Sequence, residues 1–122
     1  MRDLLGLRVL VVEPDRTLAF VLADALTLAG ARVVAMCSNL SEAARARGRE
    51  TPQALVVGTR STGSPEAAAR DAQSWGLPFL LTCDRPVSVG DARNARCLTK
   101  PFCYHDLVEG LIDCAFAHDA PR

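Results

Sequence analysis

Two carboxylates, Glu13 and Asp15, stand one residue apart at the end of the apolar run Leu7-Arg8-Val9-Leu10-Val11-Val12. Acids at a strand end can hold a hard cation if neighbouring strands bring further oxygens to the same edge. The other chemistry-bearing groups are sparse. The stretch Gly58-Thr59-Arg60-Ser61-Thr62-Gly63-Ser64-Pro65 has the composition of a phosphate cradle. It has neither the GxGxxG spacing nor the lysine of GxxxxGK[ST], so it reads as an ordinary connection. Five cysteines, Cys37, Cys83, Cys97, Cys103 and Cys114, form no CxxC and have no histidine at zinc-finger spacing. They read as buried or half-buried free thiols in a reducing compartment. There is no Ser-His-Asp order, no metal-spaced histidine pair and no nucleotide fingerprint, and His105 and His118 fall in or beyond the last helical stretch. The chain does not read as an enzyme.

Bulk properties narrow the classes further. A length of 122 residues predicts one domain with a proper core. Lysine plus arginine and aspartate plus glutamate both number 14, so formal net charge is zero. That argues against a basic nucleic-acid face, an acidic tail and a polybasic membrane patch. The first apolar run is too short and too charged for a leader or a membrane span. The expectation is a cytoplasmic protein that binds neither nucleic acid nor membrane.

The elements that must position these groups alternate along the chain. Leu7–Val12 predicts a strand buried on both faces. Asp15 is placed to cap a helix from Arg16 to Leu28, with Leu18, Val21, Leu22, Ala25, Leu26 and Ala29 at helical spacing and Gly30 as its stop. Ala31–Met36 reads as a second strand. Ser38 or Ser41 starts the next helix, with Ser38 and Glu42 as a partial capping box. Arg45, Arg47 and Arg49 on that helix read as a solvated face, because no aromatic stacking residue accompanies them. Gln53–Val57 is a third strand, Pro65–Trp75 a helix, and Leu77–Cys83 a fourth strand. Arg85–Ala95 carries Pro86 and Gly90 and holds two helical turns at most. Arg96–Thr99 is a short fifth strand, followed by Lys100-Pro101-Phe102 and a helix from Tyr104 to Ala117. Residues 118–122 should fray. Five strands alternating with helical segments predict a parallel sheet covered on both faces.

Thr82 at the end of the fourth strand, Lys100-Pro101-Phe102 after the fifth, and the acid at the end of the first make residues 7–117 resemble the receiver (CheY-like) domain of two-component response regulators. The resemblance implies a flavodoxin-like α/β fold: a five-stranded parallel sheet in the order 2-1-3-4-5, helices on both faces, and a fourth helix that is short or irregular. It implies a site at the carboxyl ends of strands 1, 3, 4 and 5, and a cis peptide between Lys100 and Pro101.

The chain departs from the family at the position that matters most. The phosphate acceptor is an aspartate at the end of the third strand, and Gly58 stands there. Glycine has no carboxylate with which to form an acyl phosphate. Pro14 replaces one of the acids after the first strand, so Mg²⁺ binding should be weak or lost. Cys97 replaces the aromatic residue three positions before the lysine. The degenerate pocket expected from the resemblance therefore comprises Glu13, Asp15, Gly58, Thr82, Lys100 and Pro101. Within it Lys100 is read as paired with Glu13, anchoring the loop.

The functional expectation is an atypical receiver that signals by protein–protein contact without aspartyl phosphorylation. By likeness to the family, its docking face comprises Arg96, Cys97, Thr99, Cys103, Tyr104 and Asp106. Its partner is a histidine kinase or a downstream regulator, and a homodimer through the same face is compatible with the reading. The alternative is a ligand- or redox-gated sensor. In that case the space left at Gly58, beside Lys100, admits a small anion, or the thiols of Cys83 and Cys97 on neighbouring strands respond to oxidants.

Overall fold

The structure, a computed structural model, describes residues 3–45, 50–61, 64–89 and 94–116. Its elements run β1 (Arg8–Val12), α1 (Arg16–Leu28), β2 (Arg32–Cys37), α2 (Leu40–Arg45), β3 (Ala54–Gly58), a 3₁₀ turn (Thr59–Ser61), α3 (Pro65–Gln73), β4 (Phe79–Cys83), β5 (Ala95–Thr99) and α4 (Tyr104–Ala115). All strand pairs are parallel, and the sheet order is β2-β1-β3-β4-β5.

Strand alternation sorts the core into two layers. Val9, Val11, Ala54, Val56 and Leu80 face α1 and α4, packing on Leu22, Leu26, Leu107 and Leu111. Leu10, Val12, Leu55, Val57, Phe79, Leu81 and Cys83 face α2 and α3, packing on Leu40, Ala43, Ala68 and Ala72. Every residue of β3 and β4 is buried, which is why both read as unbroken apolar runs. The edge strand β2 is only partly covered.

Local signals account for most boundaries. Asp15 caps α1 through its side chain, which accepts the Leu18 N–H at 3.1 Å. Gly30 follows that helix at φ +97°, and its lack of a side chain also lets Leu5 approach: a Cβ there would lie 3.0 Å from the Leu5 Cα. Ser64 caps α3, accepting the Ala67 N–H at 3.1 Å.

Two sequence expectations are corrected. The cap of α2 is Asn39, whose Oδ1 accepts the Glu42 N–H at 2.8 Å, in place of Ser38 or Ser41. Asn39 sits immediately before Leu40, so its carbonyl oxygen reaches the orphan N–H three residues on, whereas a box from Ser38 to Glu42 is one residue out of register. Helix α3 ends at Gln73, two residues short of Trp75, with Gly76 at φ +70° in the turn beyond. Between β4 and β5 the described residues 84–89 contain no helix, in keeping with an expected fourth helix that is short or irregular, and four α-helices are seen among the described residues. Gly90, Arg47, Arg49 and His118 lie outside the described residues.

Candidate functional site

Register builds the site from three neighbouring strand ends. Val12 is opposite Val57, which sets Glu13 beside Gly58, and Gly58 is opposite Thr82. Side-chain alternation points all three positions to the α1/α4 face of the sheet. The sheet thus brings together Glu13, Gly58 and Thr82, as the resemblance implies.

The detail of the contact was not legible in the sequence. Glu13 is buried, only 4% exposed, and its carboxylate lies directly over the Gly58 Cα. A Cβ on residue 58 would overlap Glu13 Oε1 and sit 3.0 Å from Glu13 Cδ. Glu13 Oε2 accepts the Asp15 N–H at 3.0 Å, and the Glu13 N–H donates to the Cys37 carbonyl at 2.8 Å. The acid is therefore held at both its backbone and its side chain. The space expected at Gly58 for a small anion is taken by this carboxylate, which would repel one.

The donor set does not match a magnesium site. Asp15 directs Oδ1 to the cap of α1, Glu13 directs Oε2 to the Asp15 N–H, and residue 58 offers no side-chain oxygen. No cluster of three or more His, Cys, Asp or Glu able to hold a metal occurs among the described residues.

Thr82 is fully buried, and its Oγ1 has no hydrogen-bond partner. An orphaned buried hydroxyl costs about 1–3 kcal/mol. Lys100 and Pro101 follow β5 through a cis peptide, and the Lys100 N–H donates to the Cys83 carbonyl at 2.8 Å.

The expected Lys100–Glu13 pair is not formed. Lys100 Nζ lies 3.8 Å from Asp84 Oδ1, and Arg60 Nε lies 3.3 Å from Asp84 Oδ2. Strand order explains this. β5 adjoins β4, so the residue after β4 is within reach, whereas β1 is three strand spacings away, about 14 Å. Asp84 and Arg60 were missed by the sequence reading. Their signal was position: each directly follows a strand end or lies two residues beyond it at the functional edge. All three side chains are partly or largely exposed, so these pairs contribute little to stability.

The proposed docking residues divide between two surfaces. On β5, Ala95 and Cys97 pack toward the α2/α3 layer and Leu98 toward the α1/α4 layer, so alternation puts Arg96 with Leu98 and Thr99 with Cys97. Cys103, Tyr104 and Asp106 are exposed at the start of α4, where Asp106 Oδ2 accepts the Cys103 N–H at 3.3 Å. Asp106 is thus part of a cap.

All five cysteines are free thiols. Cys37, Cys83 and Cys114 are buried, Cys97 is half-buried and Cys103 is exposed. Burial pushes the Cys114 thiol up to about 12 and raises Cys37, where Glu42 adds to the effect. Burial raises Cys83 most, and the neighbouring Cys97 thiol adds to that.

No sequence-family model and no curated protein matches the chain. Solved structures do. The receiver domain of the response regulator PhyR from Erythrobacter litoralis superposes with a TM-score of 0.73 at 18% identity, covering 98% of this chain and 97% of that one. The non-phosphorylated HemR receiver domain from Leptospira biflexa matches with a TM-score of 0.66 at 23% identity, covering 96% and 98%. A mutant of the anti-anti-sigma factor PhyR from Bartonella quintana matches at 0.68 and 19% identity, over 95% of this chain and 51% of that longer one. The chain therefore has the receiver-domain fold. Among the described residues no helix is long and apolar enough to cross a membrane.

Proposed function

We propose that this chain is a signalling module on the receiver fold that works by protein–protein contact and is not switched by aspartyl phosphorylation. The observation that carries the reading is the packing of the Glu13 carboxylate over Gly58. The position that would carry a phosphoryl group has no side chain, and a buried acid fills the space above it. Of the other pocket residues, Thr82 Oγ1 faces no partner and Lys100 is engaged with Asp84.

The same reading makes Mg²⁺ binding weak or lost, since two carboxylates in this arrangement leave the octahedral demand of that ion largely unmet. It gives the protein no enzymatic activity of its own. The partner is a signalling protein, a histidine kinase or a downstream regulator, met in the cytoplasm. The contact surface is the exposed start of α4 with the outer edge of β5, where Tyr104 is 48% exposed. The Bartonella quintana neighbour, described as an anti-anti-sigma factor, is an example of this fold within a protein named for its action in a protein cascade.

The test is intact mass after incubation with acetyl phosphate and Mg²⁺. The expected result is an unchanged mass. A stoichiometric, hydroxylamine-labile phosphoryl adduct would overturn the proposal.

A further inference from the structure

Cys83 and Cys97 form a thiol pair that the phosphorylation pocket does not account for. Leu81 is opposite Cys97 and Cys83 is opposite Thr99, so the two cysteines are diagonal neighbours on adjacent parallel strands. They lie on the same face, and both belong to the α2/α3 layer of the core. Cys83 is fully buried and lies between Thr82 and Asp84, the residue that pairs with Lys100. Cys97 is half-buried and so within reach of a small oxidant.

We propose that Cys83 and Cys97 are a redox modification site, oxidised by a hydroperoxide to a disulfide that shears β5 against β4. The inference goes beyond the proposed function and does not depend on the state of Gly58. In the first step the Cys97 sulfur attacks one peroxide oxygen. The O–O bond breaks, and the leaving hydroxide takes the thiol proton and departs as water, or as an alcohol from an organic peroxide. Cys97 is now a sulfenic acid, oxidised by two electrons, and the peroxide is reduced. In the second step the Cys83 sulfur attacks the Cys97 sulfur. The S–S bond forms, the S–O bond breaks, and hydroxide leaves with the Cys83 proton as water.

Order and exposure assign these roles. Cys97 is the thiol that meets the oxidant, and Cys83 is the resolving thiol, its diagonal neighbour on the adjacent strand. Burial raises the Cys83 thiol, so resolution relies on this proximity more than on thiolate character.

Shear follows from strand geometry. Strand spacing and rise put diagonal Cα atoms about 8 Å apart, and a disulfide tolerates no more than about 7 Å. One strand must therefore move by roughly an ångström. β5 is the one that can: it is an edge strand, five residues long, and from Arg96 onward only partly buried. Its displacement carries Lys100 and Pro101, and with them the start of α4, which is the surface proposed above for docking.

The experiment treats the full chain, carrying Cys103→Ser to remove the exposed thiol, with hydrogen peroxide. Intact mass and a non-reducing peptide map are read, together with amide chemical shifts. The expected product is a monomer lighter by two hydrogen atoms, with the peptides bearing Cys83 and Cys97 joined and the link reversed by dithiothreitol. Shift changes should extend through residues 79–83 and 95–101. Adding Cys97→Ala or, separately, Cys83→Ala should abolish the link, and the Cys83→Ala protein should retain an oxygen adduct on Cys97. Oxidation that ends as sulfinic acid on Cys97 with Cys83 intact would overturn the proposal, as would links confined to other cysteines. A Cys83–Cys97 disulfide whose shift changes stop at the two cysteines would overturn the shear.

Discussion

Glu13 and Gly58 are complementary in shape: the buried carboxylate of one occupies the volume that any side chain on the other would need. Neither residue can change alone without the other responding. Gly58→Ala is expected to destabilise the protein by about 1–2 kcal/mol, because it drives a buried carboxylate out of its place. Glu13→Ala should remove most of that penalty. A double-mutant cycle by urea denaturation is expected to show a coupling of about 1 kcal/mol, and strict additivity would contradict the packing described.

Asp15 is a helix cap before it is anything else. Its Oδ1 satisfies the Leu18 N–H, one of the orphan donors of α1. Asp15→Ala should cost about 1 kcal/mol, while Asp15→Ser should restore most of it. Adding Mg²⁺ in the millimolar range should leave the melting temperature of the wild type and of Asp15→Ser alike. A magnesium-dependent rise confined to the wild type would identify Asp15 as a metal ligand.

Thr82 carries a hydroxyl that this structure does not use. Replacing it by the near-isosteric Val removes the desolvation cost of an orphan polar atom while keeping the shape. Thr82→Val is therefore expected to be neutral or to stabilise by up to about 1 kcal/mol in chemical denaturation. A loss of more than that would mean that the hydroxyl has a partner in the folded protein.

Cys114 gives the protein a sensitivity to alkali. Its thiol rises from an ordinary 9.0 to about 12 in the folded chain, because burial among apolar groups penalises the thiolate. Above pH 9 the unfolded chain loses this proton while the folded chain keeps it, so stability falls as pH climbs toward the folded value. Between about pH 8.5 and 10.5 the loss from this group is of the order of 1–2 kcal/mol. The raised thiols of Cys37 and Cys83 act in the same direction. Denaturation curves for the wild type and Cys114→Ala at both pH values should converge as pH rises, since only the wild type carries this penalty.

Much of the architecture was present in local pattern. The runs Val9–Val12, Ala54–Val57 and Phe79–Cys83 read as buried strands because every side chain in them is apolar or small and both sheet faces are covered. The apolar stripe Leu107, Val108, Leu111, Ile112 and Ala115 of α4 was legible because helical periodicity depends only on spacing. The glycine at position 58 was a plain fact of the chain, as was the lysine followed by proline at 100 and 101. These are properties of neighbours in sequence, and neighbours in sequence share one backbone geometry.

The partners across the strand ends were decided only by the tertiary structure. Strand order sends Lys100 to Asp84 and not to Glu13. Register sets Glu13 over Gly58 and Thr82 next to it with its hydroxyl unanswered. Alternation on β5 splits Arg96 from Cys97 and Thr99, which a linear reading places together, and brings Cys97 to Cys83. Each of these contacts joins residues from different strands, so each depends on how strands are ordered and aligned by the packing of two layers of helices. A spacing along the chain carries no measure of that distance, and so the chain alone named the groups at this edge while the packed sheet chose which of them meet.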